Sequence, residues 1–389
     1  MSSSSMQPTS PVRFIHTQAE LIDFCNSAQS CPWVAVDTEF MRERTYYPKL
    51  CLVQIGIPEE IGLIDCLELG DLTPLWSLLH DEKVEKIFHA ADQDLEVIYH
   101  LSRAVPQPLF DTQIAAALLG HGDQIGYSAL AEKLLGVHLS KAHSRTDWSK
   151  RPLSEKQLNY AADDVRYLML LYAKLNKQLT DLERLDWLQD EQQNLTAASR
   201  YSTPPNQAWR KVKGTSRLRG KHHQALQSLA AWREQLAIEK NQPRKWILKD
   251  EVLVDLCKMI PREIQELSEL RGLPNSIIDN YGDKIIDALN RLEQFTSPPI
   301  RPKVTKLTLE EEGIMDTLAA IVKLKALEQG LSPGSVTSRK ELEQLIRGEK
   351  SLDILKGWRY EVAGHTLEQF VSGKIQIVIR AGQLKLEST

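Results

Sequence analysis

The sequence predicts a fold of an α/β domain followed by two all-α helical domains. At 389 residues the chain is too long for one ordinary hydrophobic core, so two or three domains are expected. Apolar runs typical of strands lie between residues 33 and 90, and helical patterns continue to about residue 195. Strands followed by mixed strands and helices indicate an α/β core, and further helical blocks follow it.

The predicted strands are four short apolar runs, at residues 33–37, 50–57, 61–65 and 86–90. Pro48 and the segment PEE at 58–60 supply the breaks between the first three. Because such runs with turn residues around them are typical of buried strands, we expect them to form the central sheet.

The predicted helices of the first domain follow the fourth strand, at residues 92–103, 111–119 and 128–135. Gly120 and Gly136 end the last two. A long helix begins after Ser154, because Ser154 and Gln157 have the spacing of a capping box.

Charge is distributed unevenly along the chain. Residues 1–195 carry 28 acidic and 17 basic residues, whereas residues 196–300 carry 12 acidic and 17 basic. Residues 196–221 contain seven basic residues and no acidic one, and we predict a basic linker there. An acidic domain binds a polyanion poorly unless bound cations change its local field. The basic linker and the domains after it are therefore expected to hold nucleic acid.

The ends and boundaries of the units follow from composition. Residues 1–11 are Ser-rich, without the basic and apolar regions of a secretion signal, and are predicted to be a disordered leader. The α/β domain would span residues 12–195, and the helical domains residues 222–295 and 304–389. The proline-rich segment SPPIRPK at 297–303 separates the two helical domains.

Composition also excludes several classes of protein. No apolar run approaches the roughly 20 residues that span a bilayer, so no membrane association is expected. The five cysteines form no CxxC pair and their number is odd. This argues against a disulfide framework or a zinc site and favours a cytoplasmic location.

Two acidic residues lie at the end of the first predicted strand. Asp37 and Glu39 are two residues apart, so their side chains project from the same face. Acids next to a buried run need compensation for their charge, and Mg²⁺, which prefers oxygen ligands, can supply it. On spacing alone, two solvated acids at a strand end remain the alternative.

Further candidate acids lie where the fourth strand leads into a helix. Acids in the first turn of a helix are favoured by the helix dipole, and this explains Asp92. For Asp94 the structural and the metal-binding interpretations are equally open. His89 ends the strand, and we expect it to be packed or hydrogen-bonded rather than a metal ligand.

The long helix contains a tyrosine and two acids. Tyr160 and Asp164 are four residues apart and therefore neighbours on one face of the helix. A phenol beside a metal-bound carboxylate can orient an attacking water. Asp163 points about a quarter turn away, towards solvent. Taken alone, this pair is weak evidence for a catalytic site.

The motifs together resemble those of one nuclease family. In order they are VAVDTEF, LCLVQIG, HAADQDLEVI, FDTQIAAALLG and DWSKRPLSEKQLNYAADDVRYL. Over residues 12–195 the order of these motifs and their residues are similar to those of the DEDDy 3′→5′ exonucleases, and most closely to those of the ribonuclease D family. The resemblance implies an RNase H-like domain, with a mixed central sheet flanked by helices.

The rest of the chain agrees with this resemblance. Residues 222–295 resemble an HRDC domain, including a helix–hairpin–helix whose turn at Gly272 and Pro274 can place amides near a phosphate. Residues 304–389 resemble a second HRDC-like domain. HRDC domains also occur in helicases, but the sequence has no GxxxxGK[ST] phosphate loop, which excludes a helicase motor.

The resemblance also implies the site and the reaction. The four metal-binding acids would be Asp37, Glu39, Asp94 and Asp164, and the catalytic tyrosine Tyr160. Asp111 is interpreted instead as a helix N-cap. The family would hold two divalent ions, Mg²⁺ or Mn²⁺, and release nucleoside 5′-monophosphates from RNA 3′ ends, as in tRNA maturation. The expected partners are tRNA precursors and small structured RNAs, bound by a monomer.

Substrate binding and the rival functions remain open in the sequence. The body of the RNA is expected to bind linker bases, which are Arg210, Lys211, Lys213, Arg217 and Arg219. Tyr127 or Trp148 can stack on bases, although a core position is favoured for Trp148. One alternative is a DNA 3′→5′ exonuclease with the same five site residues, since spacing does not distinguish RNA from DNA. The other is a catalytically inactive RNA-binding adaptor, against which the intact set of five argues.

Overall fold

A computed structural model describes residues 10–140, 146–296 and 306–389. The first nine residues of the predicted leader lie outside these ranges, and so does the predicted linker at 297–303. Within the described residues, no helix combines the length and the apolar character that crossing a bilayer requires.

A six-stranded mixed sheet forms the centre of the first domain. Its strand order is β1-β4-β3-β2-β5-β6, in which β3 runs antiparallel to both neighbours and the other pairs are parallel. The strands are β1 (Val12–Ile15), β2 (Trp33–Met41), β3 (Lys49–Gly56), β4 (Ile61–Asp65), β5 (Glu85–Phe88) and β6 (Leu109–Asp111).

The four predicted strands are confirmed as β2 to β5. The first of them is longer than predicted, because β2 continues to Met41 and therefore contains both Asp37 and Glu39. The edge strands β1 and β6 were not predicted, since four and three residues are too few to show a periodic pattern.

Seven helices of the described part of the chain pack around this sheet. They are α1 (Gln18–Gln29), α2 (Thr73–Leu79), α3 (Asp92–Ser102), α4 (Thr112–Leu118), α5 (Tyr127–Leu135), α6 (Glu155–Asp181) and α7 (Leu185–Thr196). The predicted capping box at Ser154 is confirmed. The predicted N-cap is confirmed as well, since Asp111 accepts hydrogen bonds from the amides of Gln113 and Ile114.

The long helix α6 lies close against the sheet. Gly56 at the end of β3 leaves room for it, since a Cβ there would lie 3.1 Å from the sulfur of Met169. Buried side chains of α6, such as Val165 and Leu168, share one core with Ala35 and Leu52 of the sheet. A second core on the opposite face contains α1, α2 and α3. This packing brings the middle of α6 over β2, where the acidic residues lie.

Two helical regions follow. The first contains α8 (Gly220–Lys240), α9 (Arg244–Ile247), α10 (Asp250–Met259), α11 (Ile264–Leu267) and α12 (Asn275–Asn290). The second contains α13 (Leu309–Glu328), α14 (Pro333–Val336), α15 (Arg339–Ile346), α16 (Gly357–Arg359), a π-helical turn (Tyr360–Gly364) and α17 (His365–Val371). Short 3-10 helices lie at Ala198–Arg200, Pro205–Lys211, Leu292–Gln294 and Asp353–Leu355.

The second helical region is not helical to its end. It finishes in an antiparallel hairpin of β7 (Ile375–Arg380) and β8 (Gln383–Ser388), where an all-α domain was expected. The two turn residues, Ala381 and Gly382, both have positive φ, at 52° and 76°. Such two-residue turns match the twist of a hairpin, and the alternation in IQIVIR and QLKLES is the strand signal that the prediction missed.

Both helical regions contact the first domain. The Tyr46 hydroxyl donates to the Glu234 carboxylate in α8, and the Tyr46 amide donates to Asn241 Oδ1 at 3.1 Å. In the second helical region, Trp358 stacks on Trp187 of α7 with ring centroids 5.0 Å apart. Each helical region therefore packs against the first domain.

Candidate metal centre

Three carboxylates converge at the middle of the sheet. Asp37 and Glu39 project from one face of β2, and Asp164 reaches them from the middle of α6. One carboxylate oxygen of each lies within 4.8 Å of the other two. The register of β2 with β3 shifts directly after Glu39, and such bulges commonly redirect side chains beside functional sites. The group is therefore arranged as a candidate cation site made only of oxygen ligands.

Asp94 lies beside this group rather than within it. It lies in the first turn of α3 and is buried, with 8% of its surface exposed. Its Oδ1 accepts a hydrogen bond of 2.5 Å from the hydroxyl of Thr38, the β2 residue between Asp37 and Glu39. The three convergent carboxylates and Asp94 thus surround one short segment of β2.

The pKa values of these buried acids are raised. Burial raises the pKa of Glu39 to about 9, helped by the charges of Asp164 and Asp94. Burial also raises the pKa of Asp164 to about 8 and that of Asp94 to about 7. The pKa of Asp37 is raised for the same reasons, burial first and then its three acidic neighbours. Carboxylates in such a group repel one another, and bound cations would relieve this repulsion.

Tyr160 lies one helical turn before Asp164 on α6 and is half-buried. Burial raises the pKa of its hydroxyl, and the charges of Asp164, Glu39 and Asp37 raise it further. Its ring lies 6.1 Å from that of Trp148, centroid to centroid. A hydroxyl with a raised pKa stays protonated at neutral pH, so beside these carboxylates it can donate a hydrogen bond.

One open cleft of about 520 Å³ is lined by the three convergent carboxylates and by Tyr160, whereas Asp94 is not part of its lining. The lining also includes His89 and Tyr127. His89 Nδ1 lies 3.0 Å from Thr112 Oγ1, which confirms the expectation of a hydrogen-bonded histidine. The Tyr127 hydroxyl donates to the carbonyl of Asp163 at 2.9 Å and so fixes α5 against α6. The lining of the cleft thus combines acidic and aromatic side chains.

Several residues of the site were not predicted. Gln54 lies directly opposite Asp37 in the β2–β3 register, is fully buried, and makes no side-chain hydrogen bond among the described residues. It is the one polar residue in the run LCLVQIG, a signal that the sequence contained. Thr38 was missed because its bond to Asp94 joins a strand to a helix 56 residues away.

The other candidate residues lie apart from the carboxylates. Asp163 forms an ion pair with Arg166, consistent with its predicted position away from the site. Trp148 is buried, which confirms the predicted core position. The five linker bases are exposed and none lines the acidic cleft, but Lys211 and Lys213 line a second, larger one.

Comparison with known proteins gives the family. A family described as 3'-5' exonuclease matches residues 12–180, and the HRDC domain family matches residues 222–289. The ribonuclease D of Bartonella henselae is 40% identical, over 90% of this chain and 88% of its own length. That of Sphingobium indicum is 39% identical over 95% of this chain and 97% of its own length.

A solved structure agrees with these relatives. The crystal structure of Escherichia coli RNase D, described as an exoribonuclease involved in structured RNA processing, has a TM-score of 0.81 to this chain. The two are 30% identical, and the match covers 93% of this chain and 98% of the other. The chain belongs to the ribonuclease D family and is a 3′→5′ exoribonuclease.

Proposed function

We propose that this exoribonuclease holds two divalent cations, Mg²⁺ or Mn²⁺, at Asp37, Glu39, Asp94 and Asp164. The observation that carries the proposal is the approach of three carboxylates within 4.8 Å of one another. Oxygen ligands alone suit hard cations of this kind. When bound, such ions activate a water and stabilise the charge that develops on the oxygens of the scissile phosphate.

The residues of the chain have separate roles in this proposal. Tyr160, protonated and next to the carboxylates, would orient the attacking water or the phosphate by donating a hydrogen bond. Thr38 would fix the orientation of Asp94 through its 2.5 Å hydrogen bond. Tyr127 and His89 would form the wall against which the terminal nucleotide lies. The products would be nucleoside 5′-monophosphates, released from the 3′ end.

We propose tRNA precursors and other small structured RNAs as substrates. The description of the Escherichia coli structure, which names structured RNA processing, supports this substrate class. The exonuclease domain would span residues 12–195, with an HRDC domain at 222–295 and a second HRDC-like domain at 304–389, acting as a monomer. The exposed linker bases Arg210, Lys211, Lys213, Arg217 and Arg219 would contact phosphates of the bound RNA.

The test is hydrolysis of a 3′-extended tRNA precursor and of single-stranded DNA, each with Mg²⁺, Mn²⁺ or EDTA. The precursor should lose nucleoside 5′-monophosphates from its 3′ end with either cation and remain intact in EDTA. A mock purification from cells that lack the protein provides the control for a contaminating nuclease, and Asp37→Asn protein should leave the precursor intact. Hydrolysis in EDTA or by Asp37→Asn protein would contradict the metal proposal, and faster hydrolysis of DNA would favour the alternative of a DNA exonuclease.

A further inference from the structure

A second cleft, of about 710 Å³, lies between the exonuclease domain and the first helical region. Its walls come from the segment after β2, from the second half of α3, from residues 201–213 and from residues 233–250. It shares no lining residue with the acidic cleft. We call it the interdomain cleft.

The lining of the interdomain cleft is strongly basic. Seven of its side chains are arginines or lysines, and only Glu96 and Asp250 are acidic. Both acids are already engaged, Glu96 with Arg42 and Asp250 with Arg233 at 2.8 Å. Arg244 pairs in turn with the buried Glu234, so three of the seven cations are paired and the other four give the cleft a net positive charge.

Four exposed cations of the cleft make no ion pair within the described ranges. They are Arg103, Lys211, Lys213 and Lys245. The cations act together on His100 in the wall of the cleft. Burial lowers the pKa of His100, and Arg103, Arg42 and Lys211 lower it further, against the opposing effect of Glu96. Positive charge from three separate segments thus converges on one place, as a polyanion site requires.

Aromatic rings share the lining of the cleft with these cations. The ring centroids of Tyr47 and His100 are 4.4 Å apart, and those of Tyr46 and Tyr47 are 4.7 Å apart. Tyr99 continues the series at 5.8 Å from His100. All four side chains line the cleft and are half-buried. A groove that combines cations and aromatic rings suits single-stranded nucleic acid, because phosphates contact the cations and bases stack on the rings.

The interdomain cleft lies near the proposed metal ligands, because both involve β2 with the segment that follows it, and α3. Arg42 follows Glu39 by three residues, about 10 Å at the rise of an extended strand. His100 follows Asp94 on α3 by six residues, about 9 Å along the helix axis. A single strand of a few nucleotides can therefore extend from one cleft to the other.

We propose that the interdomain cleft binds the single-stranded segment of RNA that lies 5′ of the terminal nucleotides. Phosphates of this segment contact Arg103, Lys211, Lys213 and Lys245, and its bases stack on the ring of Tyr47 or His100. The inference rests on the proposed function, since the terminal nucleotide must lie at the carboxylates. It also separates the linker bases, because Lys211 and Lys213 line the cleft whereas Arg210, Arg217 and Arg219 do not.

The test compares two triple variants that each remove three positive charges. The cleft variant is Lys211→Gln, Lys213→Gln and Lys245→Gln. The control variant is Lys83→Gln, Lys174→Gln and Lys177→Gln, which changes three exposed lysines of the exonuclease domain outside both clefts. All six side chains are exposed, so folding should survive, and far-ultraviolet circular dichroism checks this.

Binding of a labelled RNA of about 15 nucleotides is measured by fluorescence anisotropy in EDTA over a range of salt concentrations. The cleft variant should bind roughly tenfold or more weakly, with a log–log salt slope shallower by about 2, from ~0.7 for each lost phosphate contact. The control variant should match the unmodified protein. Equal affinities and slopes for the cleft and control variants would overturn the proposal.

Hydrolysis in Mg²⁺ separates this proposal from the proposed function. On the longer RNA the cleft variant should lose kcat/KM relative to the control variant, and on a trinucleotide, too short to reach the cleft, the difference between the variants should be much smaller. An equal loss on both substrates would contradict the assignment of the cleft. If the unmodified protein hydrolysed neither RNA, the proposed function would fail, while the anisotropy result would still decide the role of the cleft.

Discussion

The hydroxyl of Thr38 donates a hydrogen bond of 2.5 Å to Oδ1 of Asp94. Both side chains are buried, at 6% and 8% exposure. Thr38 lies on β2 between Asp37 and Glu39, so this bond connects the strand that carries two candidate ligands to the helix that carries another. Groups that hold metal ligands in orientation commonly change metal affinity or activity about 10–100-fold when they are lost.

Thr38→Val should therefore weaken the enzyme without unfolding it. Valine keeps the branched shape but removes the only hydroxyl that Asp94 contacts within the described residues. We expect a loss of roughly 10–100-fold in kcat/KM, with a higher Mg²⁺ concentration needed for half-maximal rate. Titration of the hydrolysis rate with Mg²⁺ measures both effects. Thr38→Ser retains the hydroxyl and should therefore keep most of the activity of the unmodified protein. If Thr38→Ser were as impaired as Thr38→Val, the loss could not be assigned to the hydrogen bond with Asp94.

Two adjacent acids on α6 give a matched pair of variants. The Asp164 carboxylate belongs to the convergent group, whereas that of Asp163 pairs with Arg166. Asp164→Asn should abolish measurable hydrolysis, because it removes a proposed ligand, and Asp163→Asn should retain most of it. Single-turnover rates on a short RNA provide the comparison. If Asp163→Asn abolished hydrolysis and Asp164→Asn did not, the metal ligand would be Asp163 and the proposed assignment would be wrong.

Tyr160→Phe tests the role of one hydroxyl. The ring remains and can keep its contact with Trp148, so folding and metal binding should survive. If the hydroxyl orients the attacking water, the rate of hydrolysis should fall by about 10²–10⁴-fold. Mn²⁺ binding, measured by electron paramagnetic resonance, should stay unchanged and serves as the control. An unaltered rate would leave Tyr160 with only a packing role.

The local parts of this structure could be predicted from the sequence, and the long-range parts could not. Apolar runs predicted β2 to β5, and the Ser154–Gln157 spacing predicted the start of α6, because these signals lie within a few residues. The family resemblance implied one site of Asp37, Glu39, Asp94 and Asp164. The structure brings three of them together and places Asp94 beside them, bonded to Thr38. In contrast, Tyr46 and Glu234 are 188 residues apart, and no local pattern marks such a pair. The interdomain cleft depends on contacts of this kind.

The contact of the second helical region with the exonuclease domain is close at Gly120. This glycine follows α4 with a φ of 73°, and a Cβ built on it would lie 1.9 Å from the carbonyl oxygen of Gly330. Arg184 joins the same two places, since it donates to the carbonyls of Leu118 and Gln329 at 2.8 and 2.7 Å. Backbone atoms of the two units are therefore in direct contact here, and a side chain added at Gly120 could be accommodated only if the backbone moved.

Gly136 provides the matched control for this contact. It ends α5 with a φ of 70°, nearly the same as that of Gly120, but a Cβ built on it would have no atom within 4 Å. Gly136→Ala and Gly120→Ala should both incur the cost of left-handed backbone, about 1–2 kcal/mol. Gly120→Ala should in addition disturb the contact with Gly330, and crowding of this kind costs typically about 1–3 kcal/mol.

Urea unfolding and limited proteolysis measure the difference between the two alanine variants. We expect Gly120→Ala to be the less stable, and we expect it to release a fragment that contains residues 306–389 at protease concentrations that leave Gly136→Ala intact. The reason is that, of these two glycines, only Gly120 faces the second helical region across the interface. If both variants showed the same stability and the same resistance to protease, the close approach of Gly120 to Gly330 would not hold the two units together.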